Sequence, residues 1–285
     1  MGNFSYVAPL DLEGLLAVKA REKEKALLLA GGSNLVVYIK DRLIREGTIV
    51  DVSNLKELAG IRLEAGRIFI GSGETLTRIL ESPLIHEHIP FLSESLRQFA
   101  NPLIRNMSTI GGNIADASPI ADSAPLLLVL DAEVAIAGQG GRRTVPLKEF
   151  FISPRKTRLA ADEVITGFSF AVPEKGAGKF LKLGLRRGTA CAVTSVAVWL
   201  IADAGKVGEI RIALGGVAPR PIRAVKTEDL FRGQELTAKR IAELAPALKE
   251  ELSPIDDVRG SAAYRRAVSA RLLARAVRLC AGMEE

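Results

Sequence analysis

Ile104-Arg105-Asn106-Met107-Ser108-Thr109-Ile110-Gly111-Gly112-Asn113-Ile114-Ala115-Asp116-Ala117-Ser118-Pro119-Ile120-Ala121-Asp122-Ser123-Ala124-Pro125 is the stretch on which the reading of this chain turns. It is crowded with hydroxyls, amides, glycines and prolines, yet carries almost no net charge. A loop in water has no need of Ile104, Ile110, Ile114 and Ile120 at its corners. The pattern describes a loop packed on the core with its polar groups turned toward a ligand. Buried polar groups need partners, and a dinucleotide offers many. An ordered loop whose polar groups satisfy one another fits the same composition equally well.

A second glycine bend lies upstream, Ala30-Gly31-Gly32-Ser33-Asn34-Leu35. Adjacent glycines admit positive φ and let the backbone approach a ligand closely. Their amides can converge on an anion such as a pyrophosphate. Alone, the bend is equally a tight turn. It is not a P-loop, because no Gly-x-x-x-x-Gly-Lys-Ser/Thr occurs. Nor is it a Rossmann fingerprint: no Gly-x-Gly-x-x-Gly opens a helix, and the β-branched run Leu35-Val-Val-Tyr-Ile predicts a second strand instead.

Outward from these bends, apolar spacing predicts a helix capped by Asp11 and a short strand over Ala26-Leu-Leu-Leu. Residues 48–73 read as antiparallel strands, with a hairpin turning at Glu64-Ala65-Gly66. Thr75 to Glu81 and Phe91 to Ala100 read as helices. Asn101 to Pro125 reads as turn-rich. The apolar runs Leu126-Leu-Leu-Val-Leu, Glu133-Val-Ala-Ile-Ala and Val164 to Val172 complete this region. Pro173-Glu-Lys-Gly-Ala-Gly reads as a linker. Beyond it, Phe180 to Arg187, Ala192 to Ala202 and Val207 to Leu214 predict three antiparallel strands. Helices over Val225 to Phe231, Thr237 to Leu252 and Ser261 to Ala281 close the chain. Strands and helices are segregated, so the class is α+β.

Composition narrows the function. The 285 residues are 48% apolar and 25% charged, ordinary for a globular chain of one or two domains. No apolar run is long enough to span a bilayer. The first six residues lack a signal pattern, so the expected compartment is the cytoplasm. Two cysteines, Cys191 and Cys280, cannot supply the four thiolates of an iron–sulfur cluster. Both are expected to be free and buried, Cys191 as a small core residue. His86 and His88 lack companion ligands and read as a surface loop rather than a metal site. The net charge of +6 is uneven: 20 basic against 21 acidic residues up to 175, then 19 against 12. With only 5% aromatics, that basic end reads as a docking or solvated face, not a nucleic-acid site.

Across nearly the whole chain, from Phe4 to Met283, the sequence resembles the FAD-binding medium subunits of the xanthine dehydrogenase and aerobic carbon monoxide dehydrogenase family. The anchors are Ala30-Gly-Gly-Ser-Asn-Leu, Ile104-Arg-Asn-Met-Ser-Thr-Ile-Gly-Gly-Asn-Ile, and Ala117-Ser-Pro-Ile-Ala-Asp122. They continue with Arg155-Lys-Thr and Asp162-Glu-Val-Ile, then Arg186-Arg-Gly and Val193-Thr-Ser-Val-Ala-Val. The resemblance implies a two-part FAD-binding domain of the vanillyl-alcohol-oxidase (PCMH) type over residues 1–175, with subdomains of about 1–53 and 54–175. It implies a second domain over 176–285, a three-stranded sheet with a helical bundle. It implies that Leu29, Ala30, Gly31, Gly32, Ser33, Asn34 and Leu35, with Thr109, Gly112 and Asn113, hold the pyrophosphate of a non-covalent FAD. Ser118 and Asp122 then serve the flavin's ribityl region, Phe99 and Ile165 approach the ring, and Lys182 makes a polar contact.

Three departures stand out. Gly31-Gly32-Ser33-Asn34 replaces the commoner Gly-Gly-Thr-Asp. Asn101-Pro102-Leu103 replaces Gly-x-Gln, and Thr189-Ala190-Cys191 replaces Asp-Ile-Ala.

The resemblance further implies an oxidoreductase of three kinds of subunit, arranged as a dimer of heterotrimers. A molybdopterin-binding large subunit hydroxylates the substrate, a small subunit relays electrons through 2Fe–2S clusters, and the FAD of this chain passes them to NAD⁺ or another acceptor. No catalytic acid or base and no metal is expected here. Asp116 and Asp122 read as hydrogen-bond acceptors, and Arg186-Arg187 either steers an acceptor or faces solvent or a subunit. The competing enzyme is a free-standing flavoprotein reductase resembling UDP-N-acetylenolpyruvoylglucosamine reductase, which the first bend fits and the second does not. A scaffold that has lost FAD is the non-enzymatic reading.

Overall fold

The computed structural model describes residues 2–186 and 188–283. The chain opens with β1 (Asn3–Val7), α1 (Leu12–Glu22), β2 (Ala26–Leu29), α2 (Leu35–Lys40) and β3 (Glu46–Asp51). Asp11 caps α1 as expected, accepting from the Gly14 amide at 2.8 Å. The three strands form a parallel sheet in the order β1-β3-β2, so β3 is not the antiparallel strand the sequence predicts. That topology also explains why Leu35–Lys40 is a helix and not a strand. Parallel neighbours need a crossover between them, and α2 is part of it. The crossover starts at Gly32, whose φ of +67° turns the chain and whose carbonyl accepts from Val36.

A five-stranded antiparallel sheet follows, in the order β4-β5-β10-β6-β7. Its first hairpin, β4 (Ile61–Glu64) and β5 (Arg67–Gly71), turns where predicted, with Ala65 and Gly66 at φ +48° and +74°. Six short helices then precede its next strand: α3 (Leu76–Glu81), α4 (Pro83–His88), α5 (Pro90–Leu96), α6 (Pro102–Met107), α7 (Ile110–Ala115) and α8 (Ser123–Val129). Next come β6 (Glu133–Gly138), β7 (Gly141–Pro146), α9 (Leu147–Phe150), the small β8 (Phe151–Ser153) and β9 (Lys156–Thr157) hairpin, and β10 (Val164–Ala171).

The stretch Asn101 to Pro125 is therefore short helices, not turns alone. Asn101 accepts from Ile104 N to cap α6, Pro102 occupies its first turn, and Thr109 caps α7. Of the three apolar runs, that from Leu126 belongs to α8 while those from Glu133 and Val164 are strands. Every residue of α8 is buried, so it shows no amphipathic stripe by which a sequence could declare a helix. His86 and His88 lie on α4 rather than in a loop, and His86 Nε2 sits 2.6 Å from the Leu80 carbonyl.

Residues 173–176 connect to the last unit: β11 (Ala177–Gly184), β12 (Ala192–Asp203), β13 (Lys206–Gly215) and the two-residue β14 (Ile222–Arg223). The three long antiparallel strands are present, the first starting at Ala177 inside the predicted linker and ending at Gly184 rather than running on to residue 187, and β14 adds a short fourth. Helices α10 (Val225–Phe231), α11 (Ala238–Leu244) and α12 (Ala262–Cys280) complete the chain. One face of this sheet packs Val196, Val198, Ile212 and Leu214 against Leu273 and Val277 of α12. The other turns Ala197, Trp199 and Ala213 into the core of the preceding unit, where Trp199 meets Phe91 edge-on at 6.0 Å.

Arg265 of α12 is almost fully buried. It donates to the carbonyls of Val193 (3.0 Å) and Gly216 (2.8 Å) and to Asp257. Hydrogen bonds from Arg259 and then Arg265 hold the Asp257 carboxyl at about 2, below its ordinary 3.8. A carboxylate with a lowered folded-state value stabilises above its unfolded value and loses that contribution as pH falls toward the folded one. Urea unfolding followed between about pH 5 and about pH 2 is expected to show stability falling through this window, and Asp257→Asn to flatten the fall.

Candidate functional site

A cavity of about 710 Å³ opens between the parallel sheet, the five-stranded sheet and β11. It lies within the ~300–1,000 Å³ typical of small-molecule and cofactor sites. Of the residues singled out in the sequence, Ala30, Gly31, Gly32, Ser33, Asn34, Leu35, Phe99, Thr109, Gly112, Asn113, Ser118, Asp122, Ile165 and Lys182 all line it. Leu29 does not; it belongs to β2, where its carbonyl accepts from Val52 N at 2.9 Å.

The two glycine bends touch. A β-carbon on Gly31 would lie 1.7 Å from the Met107 carbonyl oxygen, so only glycine allows this approach. Next to it, Ser108 Oγ donates to Ser33 Oγ at 2.9 Å. A third close approach supports the second bend from beneath, where a β-carbon on Gly111 would meet Ser72 at 2.6 Å. Tyr38 of α2 donates to Asp116 beyond α7 at 2.8 Å, and Arg155 lies over the Tyr38 ring at 4.1 Å. Burial first, and the bond to Asp116 second, push the Tyr38 phenol up.

The bends differ in what they offer. Among the described residues, nothing accepts from the amides of Gly31 to Leu35. They are unclaimed donors at the start of a helical turn, the kind of group that receives an anion. The amides of α7 are already used. Ile110 N donates to Glu74 O, Gly111 N to Ser72 O and Gly112 N to the Thr109 hydroxyl. The second bend therefore contributes side chains and shape rather than an amide nest. Asn113 accepts from Ser123 Oγ at 2.5 Å, which orients its amide.

At the other end, Lys182 of β11 donates to Asp122, and both side chains are buried. Burial pushes the Asp122 carboxyl up, against the lowering effect of Lys182. Its Oδ1 is buried with no hydrogen-bond partner. A buried acceptor left open is costly unless a ligand hydroxyl or amide completes it. Phe99 and Ile165 add apolar wall between the two ends.

Tyr38, Ser72, Gly73 and Ser108 also line the cavity and escaped the sequence reading as site residues. Gly71-Ser72-Gly73 could have been found by the rule that found the other bends. Nothing local marks Tyr38. Cys191 is exposed and lines the cavity, contrary to the expectation of a core residue, because it precedes the first buried position of β12. Arg186 is exposed and donates to the Thr189 carbonyl at 2.6 Å, while Arg187 lies outside the described residues. No group of His, Cys, Asp and Glu among the described residues could hold a metal. No helix among them is long and apolar enough to cross a membrane.

Residues 2–174 match the family described as the FAD binding domain in molybdopterin dehydrogenase, and residues 179–279 the CO dehydrogenase flavoprotein C-terminal domain. The chain is similar to the carbon monoxide dehydrogenase medium chain of Hydrogenophaga pseudoflava, at 31% identity over 96% of each chain. It is 33% identical to a putative xanthine dehydrogenase FAD-binding subunit of Escherichia coli K12, over 86% of this chain and 85% of that one. The solved carbon monoxide dehydrogenase of Hydrogenophaga pseudoflava superposes with a TM-score of 0.95, at 31% identity over 98% of both chains.

The Gly31 contact is directly testable. Gly31→Ala is expected to cost about 1–3 kcal/mol by overpacking against Met107. Gly140→Ala, where nothing lies within 4 Å, should stay within about 0.5 kcal/mol. Denaturant midpoints of the two variants compare them.

Proposed function

The chain belongs to the FAD-binding medium subunits of the molybdenum hydroxylase family, and from that premise we propose that it is the electron-transfer subunit of a three-subunit oxidoreductase. The observation that carries the reading is the single cavity with unclaimed amides at one end and the open Asp122 Oδ1 at the other. A dinucleotide has groups to complete both: a pyrophosphate for the amides and ribityl hydroxyls for the carboxylate.

The residues present fit FAD. The amides of Gly31 to Leu35 would receive the pyrophosphate, with Ser33, Thr109, Gly112 and Asn113 beside it. Ser118 and Asp122 would receive the ribityl chain. Lys182 would hold the Asp122 carboxyl oriented, and Phe99 and Ile165 would exclude water from the ring. Bound FAD supplies redox chemistry in which electrons arriving singly from a 2Fe–2S small subunit leave as a pair to NAD⁺ or another acceptor. The protein's part is placement and electrostatics. No nucleophile–base pair is required, and the buried pair of Asp122 with Lys182 is a holder rather than a proton-transfer couple.

We propose the remaining parts of the reading as well, with family membership as their support. The first 175 residues form the flavin unit of the PCMH type, with subdomains meeting near residue 53, and 176–285 form the second. A molybdopterin-binding large subunit and a 2Fe–2S small subunit are the partners, in a dimer of heterotrimers in the cytoplasm.

Native purification with a visible spectrum tests the proposal. Flavin near one per chain and two co-purifying subunits are expected. A chain that purifies alone with its flavin is a free reductase, and one that takes up no FAD on reconstitution is a scaffold. Asp122→Ala removes the acceptor and leaves Lys182 buried without its counter-charge. FAD affinity should then fall at least about tenfold, the effect of a lost hydrogen bond to a charged group worth ~1.5–3 kcal/mol.

A further inference from the structure

The flavin reading leaves a second cavity unused, of about 410 Å³, on the outer face of the five-stranded sheet. Side chains alternate across that sheet. Ile68, Ile70, Val134 and Phe168 point into the core. The register therefore puts Arg62, Phe69, Ala135, Arg142 and Thr144 on the opposite face.

This face has an apolar floor and one unneutralised cation. Phe69 lies across Gly167, where a β-carbon would meet its ring at 2.2 Å. Arg62 covers the ring with its guanidinium carbon 3.8 Å from the centroid and pairs with Glu64 at 2.8 Å. Leu12 and Ala135 continue the apolar surface. Arg143 is committed to Glu163 through two bonds of 2.6 and 2.7 Å. The carboxylate Glu57 also lines the cavity, with its Oε1 accepting from Leu12 N at 3.0 Å. Across from Phe69 stand Arg142, Thr144 and Thr166, and among the described residues none of these three side chains has a partner.

We propose that this cavity is a second ligand site, distinct from the flavin cavity, for a small aromatic monocarboxylate. Arg142 binds the carboxylate through its planar fork of donors, the threonine hydroxyls complete its hydrogen bonds, and the ring lies along Leu12, Ala135 and the edge of Phe69. A ligand of this class matches the lining: apolar body, one negative charge, and a volume near the lower end of cofactor-sized cavities. A larger polyanion would meet Glu57 and find Arg62 and Arg143 already paired.

The two cavities share a wall. Ile165 lines the flavin side and Thr166 this side, at the point where the β10–β6 register shifts. Leu58 and Glu57 divide in the same way, and so do Glu163 and its partner Arg143. Occupation of this site is therefore legible in the emission of a flavin bound next door.

The test is a titration of the FAD-loaded full chain with benzoate at constant ionic strength, by calorimetry and flavin fluorescence together. Saturable binding with one site per chain and no release of FAD is expected, weakened at least tenfold by Arg142→Gln. Arg142 is exposed and unpaired, so that variant keeps its fold, and its flavin absorbance should match the parent. Absence of saturable heat, equal affinity in Arg142→Gln, or displacement of FAD by benzoate would each overturn the proposal. FAD content is read separately by absorbance, so failure of this site and failure of the flavin reading give different results.

Discussion

The contact between Gly31 and the Met107 carbonyl is the constraint from which the rest of the site follows. Two backbones can approach this closely only where one of them carries no side chain. The approach joins two segments distant in sequence and is fastened beside the glycine by Ser108 and Ser33, 75 residues apart. It sets the unclaimed amides of Gly31 to Leu35 beside Thr109, Gly112 and Asn113. The Tyr38–Asp116 bond repeats the same cross-connection one layer out. Because several independent contacts hold the two bends together, their spacing does not depend on a ligand to create it. That is the preorganisation which lowers the cost of binding.

The far end of the cavity is organised by a different force. Lys182 reaches from β11 to Asp122 just ahead of α8, so the charged pair crosses from the C-terminal sheet to the preceding unit. Burying two charges is unfavourable, and replacing such a pair by apolar side chains often leaves a protein as stable or more so. Stability alone therefore does not account for it. The open Oδ1 of Asp122 points to what does: the bond from Lys182 fixes the carboxyl group in place and leaves one oxygen that a ligand can complete. Shape at one end and charge at the other define a long site, which suits an extended dinucleotide better than a compact molecule.

Much of this was legible in the residues, and the exceptions have a common physics. The Asp11 cap, the Glu64–Gly66 turn and the long strands from Phe180 to Leu214 declare themselves by local chemistry, and the structure contains them. Leu35–Lys40 misleads because its valines and isoleucine favour strands, while the demand for a crossover between parallel β2 and β3 is set by topology and is invisible locally. The run from Leu126 does not declare itself a helix, because every residue of α8 is buried and no polar face breaks the run. Within the site, the glycine-rich bends were readable because close backbone approach needs glycine. Tyr38 was not, because its role depends on Asp116, 78 residues away. Cys191 was misplaced because residue type says little about a position one step outside a buried strand.

A comparison of FAD with FMN on the same apo chain tests the central claim most directly. FMN carries the ring and the ribityl chain but lacks the diphosphate bridge and adenosine. If the joined bends grip a diphosphate, FAD binds near stoichiometrically, FMN binds at least a hundredfold more weakly (about 2.7 kcal/mol), and ADP competes with FAD. FMN binding as tightly as FAD, with ADP failing to compete, would contradict the account.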